Sequence, residues 1–469
     1  MKKLLILLFY VLAIIARLKA QDITGAWQGE IPAGGKQLHL VFNIKKTSDT
    51  SYTSTFDSPD QKAFGIPCSK TSIVNDSVFV DVGKAGISYR GLWDKKKNIS
   101  GTFIQGTAKL PLNLQILLRP QTPKQPYGYY SEDVEYDNAD KSLHYGATFT
   151  RPNGSGKYPA VIIITGSGTQ DRDGTMFGHK LYWVLADYLT KNGIAVLRVD
   201  DRGAGKSTVG EKGKNATTLD FSYDVETSLN YLETRPDVDK KYLGLIGHSE
   251  GGIIAPMVAA KRKDVSFIVM WGAPEVGGAQ INTEQNAYAL RQSGMDSLSV
   301  NAFMDLHSQI LPLFATSANK DTLDKKIQVI FDNWKKAQNQ KVLDDLKVHD
   351  NSIIGQTLFL MYNGIYDIPW IRYFFTYNPE ADLAKVRCSV LAINGEKDTQ
   401  VNATENLKLI KKILTQNGNK DFEVKAIPGL NHLLQTAGTG DFTEYGKIEE
   451  TMSPVALNII CNWIKLHTR

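Results

Sequence analysis

The stretch Gly247-His248-Ser249-Glu250-Gly251-Gly252 sets a hydroxyl among small residues, after the apolar run Tyr242–Ile246 and before a helix-period segment, Ile253 to Ala260. A strand that turns sharply into a helix needs small residues beside the turn, and the side chain at its apex projects above the sheet edge. A serine hydroxyl there is a poor nucleophile until a base takes its proton, so a histidine has to meet it. Of the eight histidines, His39 and His144 precede this region, His179 falls on an early helix, His248 is inside the turn, His307 and His349 lie in a long helical interval, and His467 is near the C-terminus. His432 follows a late apolar run, in Pro428-Gly429-Leu430-Asn431-His432, where a base can hang over the sheet. The acid that orients it belongs at the end of the preceding strand. There Leu391-Ala392-Ile393-Asn394-Gly395-Glu396-Lys397-Asp398 supplies Asp398, with Glu396 as a competitor. A serine, a histidine and an aspartate in this chain order suit nucleophilic acyl transfer.

Acyl transfer also needs two backbone donors for the oxyanion. One is the amide of the residue after the nucleophile, Glu250; the other belongs to the loop Ile164-Thr165-Gly166-Ser167-Gly168. Ser167 is the choice, because flanking glycines let the backbone approach a substrate closely. The Glu250 side chain is expected in a structural salt bridge. Asp171-Arg172-Asp173 and Asp201-Arg202 are expected to pair across two loops beside the site.

These groups need a sheet beneath them. Continuous apolar runs at Ala160–Ile164, Ile194–Val199, Tyr242–Ile246, Val265–Trp271, Ser389–Ile393 and Phe422–Ile427 alternate with helix-period segments near 177–191, 217–235, 250–262, 401–416 and 453–467. Strands buried on both faces read this way, so a doubly wound, mostly parallel α/β domain is expected over 129–469. The interval between Trp271 and Ser389 is too long for a connection, which predicts a helical cap at about 276–382. Its aromatic stretch, Met361 to Tyr377, fits either the cap's own core or a wall of the acyl pocket.

Residues 21–120 have a period of two instead, as in Leu38, Leu40, Phe42 and Ile44, or Val78, Val80 and Val82, or Leu112, Leu114, Ile116 and Leu118. Such alternation predicts a small all-β sandwich or barrel. Its Gly25-Ala26-Trp27 resembles the opening of small ligand-binding barrels. Pro120, Pro123 and Pro126 mark a linker at 121–128.

Composition removes other classes. The net charge of +5 owes four cations to Lys2, Lys3, Arg17 and Lys19, beside no acid in the first twenty positions, so the remainder is near neutral and no nucleic-acid partner is expected. The leader, two lysines and then an apolar stretch from Leu4 to Ala16, has the form of a signal peptide over 1–20. The stretch is shorter than the ~20 residues of a membrane span, and an exported chain with no span in its mature form is expected. Cys68, Cys388 and Cys461 suit structural thiols rather than a disulfide framework or a zinc site. Gly203-Ala204-Gly205-Lys206-Ser207-Thr208 ends like a phosphate loop, but the required first glycine would fall on Asp200. No metal or organic cofactor is expected. Oligomeric state leaves no mark.

From about Tyr129 to the end, some 340 of 469 residues, the chain resembles the α/β-hydrolase superfamily. Gly166-Ser167-Gly168 with Asp171-Arg172-Asp173-Gly174, then Asp200-Asp201-Arg202-Gly203, then the serine turn resemble the secreted bacterial carboxylesterases close to the serine aminopeptidase branch. The order Ser249, Asp398, His432 matches that family. One departure is Thr165-Gly166, where the family usually has His-Gly. The resemblance implies hydrolysis of a small or polymer-borne carboxylic ester, with short to medium acyl chains, through an acyl-serine. The alternative is an aminopeptidase on the same triad, whose amine-holding acids would be sought among Glu284, Asp296 and Asp305.

Overall fold

The computed structural model describes residues 23–469 apart from 34–35, 49, 62, 318, 349–361, 363 and 365. The leader, His349, and Met361, Asn363 and Ile365 of the aromatic stretch lie outside the described residues. The chain divides into two compact units after Arg119.

The first unit is one antiparallel sheet of nine strands: β1 (Gly25–Ala33), β2 (Lys36–Lys46), β3 (Tyr52–Ser58), β4 (Ala63–Pro67), β5 (Lys70–Val74), β6 (Ser77–Val82), β7 (Ile87–Trp93), β8 (Asn98–Gln105) and β9 (Ala108–Ile116). Their order is β4-β3-β2-β1-β9-β8-β7-β6-β5. The sheet curls over one face, where Trp27, Leu40, Phe42, Val80, Tyr89, Ile99 and Leu112 are buried together. The Cys68 amide donates to Ser54 O at 3.0 Å, and the Ser54 and Thr71 hydroxyls meet at 2.6 Å, which draws β3 toward β5. It is a half-barrel rather than a two-sheet sandwich.

The second unit is built on an eight-stranded sheet of order β10-β11-β15-β12-β16-β17-β18-β19. The first two, β10 (Tyr130–Asp137) and β11 (His144–Arg151), are antiparallel; from β12 (Tyr158–Ile164) and β15 (Ala195–Val199) through β16 (Val238–His248), β17 (Val265–Trp271), β18 (Ser389–Gly395) and β19 (Phe422–Ile427) the neighbours run parallel. A short ribbon, β13 (Thr175–Met176) with β14 (His179–Lys180), precedes the first helix. One face of the sheet is covered by α2 (Thr218–Thr234), α3 (Glu250–Ala259) and a helix at Ala403–Gln416, the other by α1 (Leu181–Lys191) and the C-terminal helix at Pro454–His467. Both faces of the inner parallel strands are therefore apolar, which is why those strands read as unbroken runs, while the edge strand β19 is half exposed. Gln121, between the first two linker prolines, is bound into this unit, donating to Met452 O at 2.7 Å and accepting from the Thr451 amide at 2.6 Å.

Between β17 and β18 the chain makes a helical insertion: α4 (Gly278–Gln292), α5 (Ser297–Ile310), α6 (Leu313–Thr316), α7 (Lys320–Ala337), α8 (Gln340–Asp345), α9 (Pro369–Thr376) and α10 (Glu380–Leu383). It has its own core, including Leu306, Phe314, Ile327, Phe331 and Trp334. Its two stalks touch: a Cβ on Gly278 would lie 2.3 Å from Phe374 O, and one on Gly277 3.9 Å from Tyr377 O.

Candidate active site

Ser249 sits between β16 and α3 with φ 53° and ψ −118°, a backbone state that non-glycine residues rarely adopt. Two glycines make the turn possible. A Cβ on Gly247 would fall 1.9 Å from Gly251 O, and one on Gly251 would fall 2.5 and 2.6 Å from the carbonyl oxygens of Ile164 and Thr165. The sharp turn is thus pressed against the end of β12.

That end carries the loop Thr165–Gln170. A Cβ on Gly166 would lie 3.2 Å from Ser249 Cβ, so the loop stands directly beside the serine. The Gly166 amide donates to Tyr182 Oη at 3.1 Å; the phenol donates to Gln170 Oε1 at 3.1 Å and lies 3.1 Å from His248 Nδ1. Burial, with His432 beside it, pulls the His248 pKa well below its ordinary value, so this ring is neutral. Among the described residues, neither the Ser167 amide nor the Glu250 amide has a protein acceptor. Two donors chosen from the sequence are therefore free for a ligand, one of them at the N-terminus of α3.

His432 and Asp398 are both buried, and His432 Nδ1 lies 2.6 Å from Asp398 Oδ2. Asp398 Oδ1 accepts from the amides of Gln400 (2.8 Å) and Val401 (2.9 Å). Glu396, the competitor, instead accepts from the Gly429 amide at 3.2 Å. His432 is held from below: Trp271 Nε1 donates to His432 O at 3.0 Å, and the His432 and His248 rings stand 4.8 Å apart, which brings His432 next to the serine turn. A side chain at Gly272 (φ 59°) would meet His432 Cε1 at 3.0 Å. No hydrogen bond joins Ser249 to His432 among the described residues. In unliganded sites that contact often tightens only with substrate.

Several side chains behave differently from the sequence expectation. The Glu250 carboxyl, expected in a salt bridge, is buried without a cation; it accepts from Thr218 Oγ1 at 2.7 Å and Trp370 Nε1 at 2.8 Å, and burial raises its pKa. Trp370, in the aromatic stretch, is half-buried on α9, stacks on Phe374 at 5.5 Å, and links the insertion to the serine turn. The expected pairing of Asp171-Arg172-Asp173 with Asp201-Arg202 is not made by those residues: Arg172 pairs with Asp200 at 2.6 Å, Asp173 with Lys180 at 2.7 Å, and Arg202 with Asp224 on α2 at 2.6 Å. The three amine-holding candidates do not converge: Glu284 accepts from Gln280, Asp305 from Gln309, and Asp296 caps α5 and pairs with Lys341. Tyr182, His248, Asp201 and Trp370 were not singled out as site residues from sequence. Only their tertiary partners reveal them.

The three cysteines are unpaired. Among the described residues no three His, Cys, Asp or Glu side chains gather as metal ligands, and no helix is long and apolar enough to cross a membrane.

A family model described as serine aminopeptidase, S33, matches residues 178–349, a range that contains Ser249 and ends before Asp398 and His432. Esterase EstD of Thermotoga maritima is 27% identical over 208 residues, 44% of this chain and 45% of its own; the chain thus spans under half the length of that relative. An uncharacterized 31.7 kDa protein of Escherichia coli is 26% identical over 266 residues, 56% of this chain and 80% of its own. Among solved structures, an esterase of Pyrococcus furiosus superposes with a TM-score of 0.41 at 16% identity, covering 73% of this chain and 93% of that one. The family match, the strand order and the strand-serine-helix turn together give the second unit an α/β-hydrolase fold.

Proposed function

We propose that the protein is a serine hydrolase of carboxylic esters, with Ser249 as nucleophile, His432 as base, Asp398 as the acid that orients it, and the Ser167 and Glu250 amides as oxyanion donors. The observation that carries this reading is the buried 2.6 Å contact from His432 Nδ1 to Asp398 Oδ2, beside a serine held at φ 53° on a strand-to-helix turn. Ser249 Oγ attacks the acyl carbon while His432 Nε2 takes its proton. Asp398 holds Nδ1–H and stabilises the imidazolium. The carbonyl oxygen gains its charge between the two amides, and each such donor typically contributes on the order of 10² to 10³ in rate. His432 then protonates the departing alcohol, and a water activated by the same ring releases the acid and restores Ser249. Short to medium acyl chains are the proposed substrates.

An aminopeptidase is the second reading, favoured by the description of the matching family model. The scattered partners of Glu284, Asp296 and Asp305 give it no amine site among the described residues of the cap. Turnover of p-nitrophenyl acetate through decanoate, beside aminoacyl p-nitroanilides, by the protein and its Ser249→Ala variant separates the readings. Ester turnover that the variant loses, with silent anilides, is expected. Dominant anilide turnover would replace the esterase with the peptidase, and equal rates in both proteins would remove Ser249 from the chemistry.

A further inference from the structure

The loop that carries Ser167 is closed by a side chain from another strand end. Asp201, just past β15, accepts from the Thr165 hydroxyl through Oδ1 at 2.7 Å and from the Gln170 amide through Oδ2 at 2.8 Å, while its own amide donates to Gln170 O at 3.1 Å. One carboxyl thus ties both ends of the six-residue loop. The second residue, Gly166, is pinned separately by Tyr182 Oη, and the unpartnered Ser167 amide comes next. Thr165, the departure from the usual His-Gly, is what supplies the hydroxyl for this tie.

We propose that Asp201 is the positioning residue of the oxyanion loop, joining Thr165 to Gln170 so that the Ser167 amide is aimed at the acyl oxygen. The proposal rests on the ester-hydrolase reading.

The position constrains the charge of the side chain. Negative charge develops on the substrate oxygen at this loop, and a carboxylate in the adjoining wall opposes it. The charged groups that act most on Asp201 are Glu250 at the start of α3 and Asp224 on α2, and Asp201 in turn acts on the Tyr182 phenol on α1; none of these is cationic. The nearby guanidiniums are engaged elsewhere, Arg172 with Asp200 and Arg202 with Asp224. Burial, reinforced by the acidic neighbours, lifts the Asp201 pKa to about 8. In the neutral acid, Oδ2 still accepts from Gln170, and the proton sits on Oδ1, where the Thr165 hydroxyl turns from donor to acceptor. The tie therefore holds in either state, but only the neutral state leaves the oxyanion unopposed.

Asparagine reproduces the neutral tie, with its oxygen on the Gln170 amide and its NH₂ on Thr165 Oγ1. The test is turnover of p-nitrophenyl butyrate from pH 6 to 9.5 by the protein and its Asp201→Asn, Asp201→Ala and Ser249→Ala variants, with Tm recorded from pH 5 to 9.5. Wild-type kcat should fall about tenfold per pH unit above pH 8, while Asp201→Asn stays within about threefold of the neutral-pH rate up to pH 9.5. Asp201→Ala should lose on the order of 10²-fold in kcat, with KM within about threefold. Folded Asp201 keeps its proton to about 8, whereas the unfolded chain gives it up near 3.8. The folded state binds the extra proton in that window, so stability is present at low pH and is lost as pH rises toward 8. The wild-type Tm should accordingly fall relative to Asp201→Asn between pH 5 and 8 and run level above it. An Asn variant that follows the wild-type rate curve, an Ala variant that keeps its kcat, or a Tm difference that does not change with pH overturns the proposal. If Ser249→Ala is dead in those cases, Asp201 alone has failed; if Ser249→Ala turns over normally, the ester-hydrolase reading has failed with it.

Discussion

Buried carboxyl groups stand on both sides of Ser249, and their partners differ. On the histidine side, Asp398 receives two amides and the His432 imidazole. On the side of the Thr165–Gln170 loop, Glu250 and Asp201 meet hydroxyls, an indole and an amide but, among the described residues, no cation, and burial raises both pKa values. Under the proposed chemistry a positive charge forms on one side and a negative charge on the other. The anionic partner belongs beside the imidazolium, and groups that resist ionising belong beside the oxyanion. A buried acid is thus read by its neighbours, because the same residue type serves opposite electrostatic ends within one site.

The largest break in this contrast comes on the histidine side. Asp398→Asn sets an NH₂ or a weaker acceptor against His432 Nδ1 and favours the wrong tautomer, so kcat at pH 7 should fall by about 10⁴ with little change in fold, as steady-state kinetics and circular dichroism would check. On the oxyanion side, Gly251→Ala forces a methyl against the Ile164 and Thr165 carbonyls, which cannot swing away as a side chain would. Displacement of the loop should cost on the order of 10² to 10³ in kcat. Smaller still is Trp370→Phe, which removes one donor from the buried Glu250. A loss of about 2 kcal/mol is expected in denaturant unfolding, with kcat changed less than tenfold.

The change with the smallest effect on activity extends the contrast beyond the site. Glu275 follows β17, is buried, and among the described residues has no partner on either oxygen; burial, with Glu380 nearby, lifts its pKa to about 8. The folded form holds a proton that the unfolded chain releases near 4.5, so wild-type stability declines between about pH 4.5 and 8. Glu275→Gln should differ little at pH 5 and be more stable by about 4 kcal/mol at pH 8, at about 1.4 kcal/mol for each pH unit of that window, measured by urea unfolding at both pH values.

The legible parts of this molecule were those whose physics is local. The parallel strands β12 and β15 to β18 announce themselves because both faces are buried, and the serine turn does so because Gly247 and Gly251 admit no side chain. His432 was reachable by elimination, since each other histidine lay in the wrong kind of segment. The antiparallel pair β10 and β11 went unread: β10 is an exposed edge whose Glu132, Asp133 and Glu135 break any apolar run. Asp201, Tyr182 and Trp370 were illegible for a different reason. Their roles come from partners 12 to 120 positions away in the chain, and no periodicity encodes such a meeting. Glu250 was half legible, its amide from its place in the turn and its side-chain partners only from tertiary packing.

The touching stalks at Gly277–Gly278 and Phe374–Tyr377 have an evolutionary consequence. A segment whose ends already meet can be lengthened, shortened or exchanged at a closure cost that grows only with the logarithm of its length. The roof over this site is therefore a replaceable module, open to rapid diversification while β17 and β18 stay unchanged. One thread limits that freedom: Trp370 belongs to the exchanged part and Glu250 does not, so any new roof has to bring its own donor to that carboxyl or inherit a destabilised serine turn.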